Sequence, residues 1–171
     1  MSVLVTVLVT FFAGMGAGLG TGFAGMSAAA VISPMLITFL HMDPYMAVGI
    51  ALSSDVLASA VSAYTYHKNK NLDIKNGLIM MASVLGYELK TAVGTSVFIM
   101  TFTALTGAVS HFMIGGAPNW FVWALCVAFT LLWARIAAVF ANKADPKTLN
   151  RATGIVLVVL GVVIMGFNLL S

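Results

Sequence analysis

The chain has 171 residues, 61% of them hydrophobic and 8% charged, with a formal net charge of +3. Soluble domains run at about 45–50% apolar and about 25% charged residues, so water is excluded as the solvent of this chain and a bilayer accommodates it. The eight Lys and Arg residues stand mainly between apolar runs, which suits loops facing anionic lipid and excludes a nucleic-acid partner.

Apolar runs cut by charges and breakers predict helical pieces over about 3–24, 27–41, 46–66, 77–86, 92–112, 119–140 and 152–170. The first two fall in an uncharged stretch from Met1 to Met42 with no Lys or Arg ahead of it. That pattern is not a secretory signal. It is about twice the roughly 20 residues that cross a membrane, so it must fold back on itself.

Glycines crowd this stretch at Gly14, Gly16, Gly18, Gly20, Gly22 and Gly25, ahead of Ser27 and Pro34. Two readings stay open. Gly14, Gly18 and Gly22 stand four apart and suit a close-packed seam between helices. Alternatively the helix breaks between Gly18 and Ser27, since each glycine costs about 1 kcal/mol of helix relative to alanine. A break in the membrane frees backbone N–H groups and a new helix N-terminus, which together can hold an anion. On that reading Gly18, Gly20, Gly22, Gly25 and Ser27 are substrate-binding candidates. The spacing Gly20, Gly22, Gly25 also matches a dinucleotide-binding fingerprint, but that motif needs a preceding strand in a soluble unit. The match is rejected.

The piece 46–66 follows Asp43-Pro44 and carries Asp55 at its middle. A carboxylate there costs about 2.5–3.5 kcal/mol on insertion scales, which favours a cavity-facing or functional role. Ser59, Ser62 and Tyr66 follow on the same face. The ten residues of 77–86 cover only about 15 Å and suit a re-entrant piece. In 92–112, Thr95, Ser96, Thr103, Thr106 and Ser110 share an arc of about 100° by the 3.6-residue period. Two polar stripes would line one cavity; the competing reading is that each hydroxyl bonds the carbonyl one turn back. Arg135, inside 119–140, either snorkels to the surface, pairs with Asp55, or meets a substrate anion. The lone Cys126 can form no intrachain disulfide.

Lys68, Lys70 and Lys75 lie in 67–76, and Lys143, Lys147 and Arg151 in 141–151, whereas 112–119 holds no basic residue. The first two loops therefore face the cytoplasm and the third faces outward. An offset of 45 residues aligns Asp43 with Glu88 and Ala47-Val48-Gly49 with Ala92-Val93-Gly94. This weak internal repeat, over about 40–84 and 85–129, is of a kind that transporters are built from. His41, His67 and His111 each end an apolar run, and no spacing suggests a metal site.

Several of these stretches resemble the TauE/SafE sulfite-exporter family: Gly18 to Gly25, Ser33-Pro34, Ala47 to Gly49 with its Ser-rich helix, Thr106 to His111, and Leu149 to Arg151. The resemblance implies a multi-pass inner-membrane transporter of small sulfur-containing anions such as sulfite or sulfonates, and brings no catalytic residues. The family carries two glycine-rich segments in a longer chain, whereas the positions 45 residues beyond Gly14–Gly25 hold none. The central part of a family member is therefore expected to be absent.

The sequence thus predicts an all-α, multi-pass transmembrane helix bundle of about six crossings, one domain over 1–171, with a glycine-rich broken helix. Its expected function is transport of a small anion in the cell inner membrane. The rival is an internally deleted, inactive or structural relative. Gly18, Gly20, Gly22, Gly25, Ser27, Thr95 and Ser96 are the expected substrate-binding residues, and Asp55, Ser59, Ser62 and Arg135 the expected path or coupling residues. No enzyme chemistry, cofactor or metal is expected. The bilayer and the anion are the expected partners, with a homo-oligomer supplying two glycine segments from two copies.

Overall fold

The computed structural model describes residues 2–73, 89–115 and 117–170. Within them the chain forms helices α1 (Val3–Ala24), α2 (Ala29–Leu40), α3 (Pro44–Lys68), α4 (Leu89–Gly115), α5 (Trp120–Lys143) and α6 (Pro146–Leu170), with no strand among the described residues. The piece expected over 77–86, and the join between the two repeat-like segments at 84 and 85, lie outside the described residues. α1, α3, α4 and α5 are long and apolar enough to cross a membrane. The protein is a multi-pass membrane bundle. α2 departs from the expected crossings: its 12 residues reach about 18 Å, short of a ~30 Å hydrocarbon core.

Local chemistry sets the helix ends. Asp43 accepts from the Tyr45 and Met46 amides and Pro44 starts α3, whose last turn holds His67 and Lys68. Asn119 caps α5 in the same way. These side chains fill the orphan N–H groups of a first turn. α6 begins at Pro146, six residues before the start expected from hydropathy. There Asp145 accepts from both the backbone N–H and the hydroxyl of Thr148. The apolar run starts later than the helix because its first turns carry Lys147 and Arg151. The expected loop at 141–151 thus shrinks to the turn at Ala144 and Asp145.

Helix directions follow from who touches whom. Gly14 lies on Phe129 and Thr130, Gly18 on Ala134, and Gly22 on Ala137 and Ala138, so α1 and α5 run parallel. Trp123 donates to Ser53 near one end of α3 and Asn71 to Asn142 beyond the other, so α3 runs with them. α4 runs against α3, with His111 beside Tyr45, Gly107 beside Leu52, Thr101 bonded to Ser59 and Gly94 beside Tyr66. Lys68, Lys70, Lys90 and Lys143 therefore gather at one end, where Lys90 donates to the Asn142 carbonyl. We call this the basic end and the other the distal end.

The core is built of small residues because the backbones approach closely. One apolar cluster, in the distal half, joins Ala13, Ala17, Ala28, Ile32, Leu36, Ala47, Ile50, Ala51, Val122 and Cys126. A second, towards the basic end, joins Ala63, Tyr66, Val93, Val97, Ala138, Ala141 and Leu149. Between them α3 buries Ser53, Ser54, Asp55, Ser59 and Ser62. A polar band therefore interrupts the core along its length.

Candidate functional site

α1 ends inside the bundle. Gly25 takes the left-handed conformation at φ 64°, which glycine adopts without strain. Its N–H donates to the Thr21 carbonyl at 3.1 Å, and the Met26 N–H to the Gly20 carbonyl at 3.2 Å. Thr21 adds a hydroxyl bond to the Met26 carbonyl at 2.9 Å. From the opposite side Tyr66 donates to the Gly22 carbonyl at 2.8 Å and Ser96 to the Gly25 carbonyl at 3.3 Å. The carbonyls that a helix end leaves orphaned are thus supplied by α3 and α4.

Two residues later the chain starts α2. Ser27 accepts the Ala29 N–H at 3.2 Å and donates its hydroxyl to Asp55 Oδ2 at 2.6 Å. The Ala28 amide faces the same carboxylate. Asp55 stands eleven residues into α3 from Pro44, about 16 Å along a helix, so the N-terminus of α2 opens deep within the bundle. Asp55 is fully buried and its Oδ1 has no partner among the described residues. A carboxyl group of the chain itself therefore sits at the positive end of α2, the place where helix N-termini hold anions.

The expected glycine segment divides in two. A break does fall between Gly18 and Ser27, but only Gly25 forms it. A Cβ on Gly18 would stand 2.6 Å from the Ala134 nitrogen, and one on Gly22 would strike Ala137. Gly14, Gly18 and Gly22 are thus the seam on α5, which was the packing reading. The seam expected to await a second copy is filled by α5 of the same chain. Gly20 is buried on α1 against Met26.

The hydroxyls also divide. Ser59 donates to the Asp55 backbone carbonyl at 2.6 Å and accepts from Thr101 at 3.0 Å. Ser62 is buried with its hydroxyl unpartnered among the described residues. Thr95 is buried and accepts the Asp73 N–H at 3.4 Å. Thr103, Thr106 and Ser110 point outward and each bonds a carbonyl of its own helix. Arg135 is exposed and on the outer side of α3 and α5, in a cleft with Tyr64 and Lys68. The Arg135–Asp55 pairing considered from sequence does not form. Thr101 was missed because it lies off the arc of the other α4 hydroxyls. Nothing in the sequence pairs it with Ser59. Among the described residues no three His, Cys, Asp or Glu side chains gather as a metal site.

A family model described as "Sulfite exporter TauE/SafE" matches residues 10–86 and 77–164. A curated relative, "Probable membrane transporter protein YunE" of Bacillus subtilis (strain 168), is 36% identical over 72 residues. That stretch is 42% of this chain and 26% of the relative, so the match spans about a quarter of the relative's length. No solved structure matches the chain.

Proposed function

Because the chain belongs to the sulfite exporter TauE/SafE family, we propose that it moves a small sulfur-containing anion, such as sulfite or a sulfonate, across the cell inner membrane. The observation that carries this reading is the Ser27–Asp55 hydrogen bond, 2.6 Å long, at the N-terminus of α2. A short helix starting inside the bundle aims the positive end of its dipole at one point. Asp55 now fills that point. A substrate anion takes the same seat when the carboxylate leaves or is neutralised by a proton, because two unscreened anions repel strongly at low dielectric. Protonation of Asp55 thereby couples a proton to the anion.

The remaining residues have supporting roles in this reading. Ser27 transfers its hydroxyl bond from Asp55 to the substrate. Gly25 and Ser96 hold the turn that places α2. Gly20 and Thr95 flank it, Ser59 and Ser62 continue the polar band, and Gly18 and Gly22 keep α1 close to α5. Arg135 lies too far to the outside of the bundle to share this seat.

The test is flux of a panel of sulfur oxyanions in vesicles holding the full chain. The expected result is saturable flux of at least one, accelerated by acid on the side of entry. Asp55→Asn should remove the pH dependence while leaving the protein inserted. Ser27→Ala should slow flux by about tenfold, the kinetic equivalent of a charge-assisted hydrogen bond worth about 1.5 kcal/mol. Insertion without flux of any panel member would replace this reading with that of an inactive or structural relative.

A further inference from the structure

On the outer face of the bundle, α3 and α5 lie side by side and leave a cleft of about 660 Å³ near the basic end. Its deeper wall is apolar, with Val61 from α3 and Leu132 from α5. Its shallower part holds Tyr64, Arg135 and Lys68. The α3–α5 register sets these depths: Ser53 meets Trp123 and Asn71 meets Asn142, so Arg135 stands level with Tyr64 and one turn deeper than Lys68.

Two cations therefore share one cleft on a face that looks at lipid. Among the described residues no carboxylate pairs with either of them. Snorkelling explains how one long side chain reaches water from below the surface. It gives no reason for a second cation, a phenol at headgroup depth and an apolar floor in the same recess. A charge facing lipid is costly unless it meets an opposite charge. A phosphodiester supplies that charge at that depth, and the acyl chain attached to it covers Val61 and Leu132. A free inorganic anion would leave the apolar floor bare.

We propose that the α3–α5 cleft binds one anionic phospholipid, its phosphate between Arg135 and Lys68 and an acyl chain along Val61 and Leu132. The site is separate from the α2 N-terminus, and its occupancy does not depend on transport. It anchors the basic end of the two helices that frame the polar band.

Native mass spectrometry of the full chain, taken from nanodiscs of phosphatidylcholine and phosphatidylglycerol, reads the site directly. Phosphatidylglycerol should be retained over phosphatidylcholine. Arg135→Gln and Lys68→Gln should each lower that retention by about fivefold, the effect of one basic side chain at an anionic surface. Arg135→Lys should keep most of it, and Lys147→Gln, on α6 outside the cleft, should change nothing. Should Arg135→Gln not accumulate, Lys68→Gln decides. Equal retention of the two lipids, or unchanged retention in the cleft variants, would overturn the proposal. So would displacement of phosphatidylglycerol by millimolar sulfite or phosphate, which would make the cleft a vestibule for a soluble anion.

Discussion

The phenol of Tyr66 reaches from α3 to the backbone of α1 and donates to the Gly22 carbonyl at 2.8 Å, both partners buried. It fills one of the carbonyls that the end of α1 leaves without an intrahelical partner. An unfilled carbonyl in this setting has no water to turn to.

Tyr66→Phe should therefore destabilise the bundle by about 1–3 kcal/mol, the cost of leaving one buried polar group unsatisfied. Thermal unfolding in detergent reads the loss directly. A melting temperature equal to that of the parent would mean that the carbonyl finds another donor.

Glycines two residues apart, on different faces of α1, should respond differently. At Gly18 a methyl would press on the Ala134 nitrogen and the Thr130 carbonyl, at 2.6 and 2.7 Å. Gly18→Ala should cost about 1–3 kcal/mol, as overpacking does. At Gly20 the nearest atoms are those of Met26, at 3.7 and 3.8 Å, which is ordinary contact. Gly20→Ala should be neutral or stabilise by up to about 1 kcal/mol through helix propensity. Urea or thermal melts of the pair, side by side, decide it. Equal losses at both positions would refute the seam.

Sidedness follows from the basic end. Lys68, Lys70, Lys90 and Lys143 cluster there, and the turn at Asn119 lies at the distal end. The positive-inside rule predicts that the cluster faces the cytoplasm. A cysteine replacing Lys70 should react with an impermeant maleimide only after cells are opened, and one replacing Asn119 should react in intact cells. The reverse pattern would invert the whole bundle.

Much of this architecture is legible in the sequence. Uncharged length alone marks α1, whose ends match those expected, and insertion cost alone puts Asp55 indoors. Asp43-Pro44 and Asp145-Pro146 are cap signals, yet hydropathy outweighed the second and hid the first turns of α6. Contacts between distant residues are another matter. Ser27 and Asp55 are brought together by the left-handed turn at Gly25, and no periodicity encodes that meeting. The same holds for Gly14, Gly18 and Gly22: spacing announces a seam but does not name α5 as the helix that fills it. Charge alone leaves Arg135 free to snorkel, pair with Asp55 or meet an anion, and only its helical phase on α5 turns it to the outside.

Asp145 gives the fold a pH dependence of defined sign. The backbone N–H and hydroxyl of Thr148 hold its carboxyl below the ordinary carboxylate range. The stabilisation of the first turn of α6 is thus fully present above the unfolded-state value and is lost as pH falls through the lowered folded-state value. Acid should lower the protection of the Thr148 amide, its exchange measured against the intrinsic rate, in the parent. In Asp145→Asn, which still caps but does not titrate, exchange should follow only its intrinsic pH trend. An identical acid response in both proteins would remove Asp145 as the cause.

Cys126 lies wholly within the distal apolar cluster, with no exposed surface. A thiol so enclosed is a clock built into the parent chain. Reagent reaches it only when α5 parts from its neighbours, so its modification rate times that parting without any engineered probe. Comparing the rate with and without a sulfur oxyanion would tell whether the distal half opens when one is offered or stays shut around the polar band beneath it.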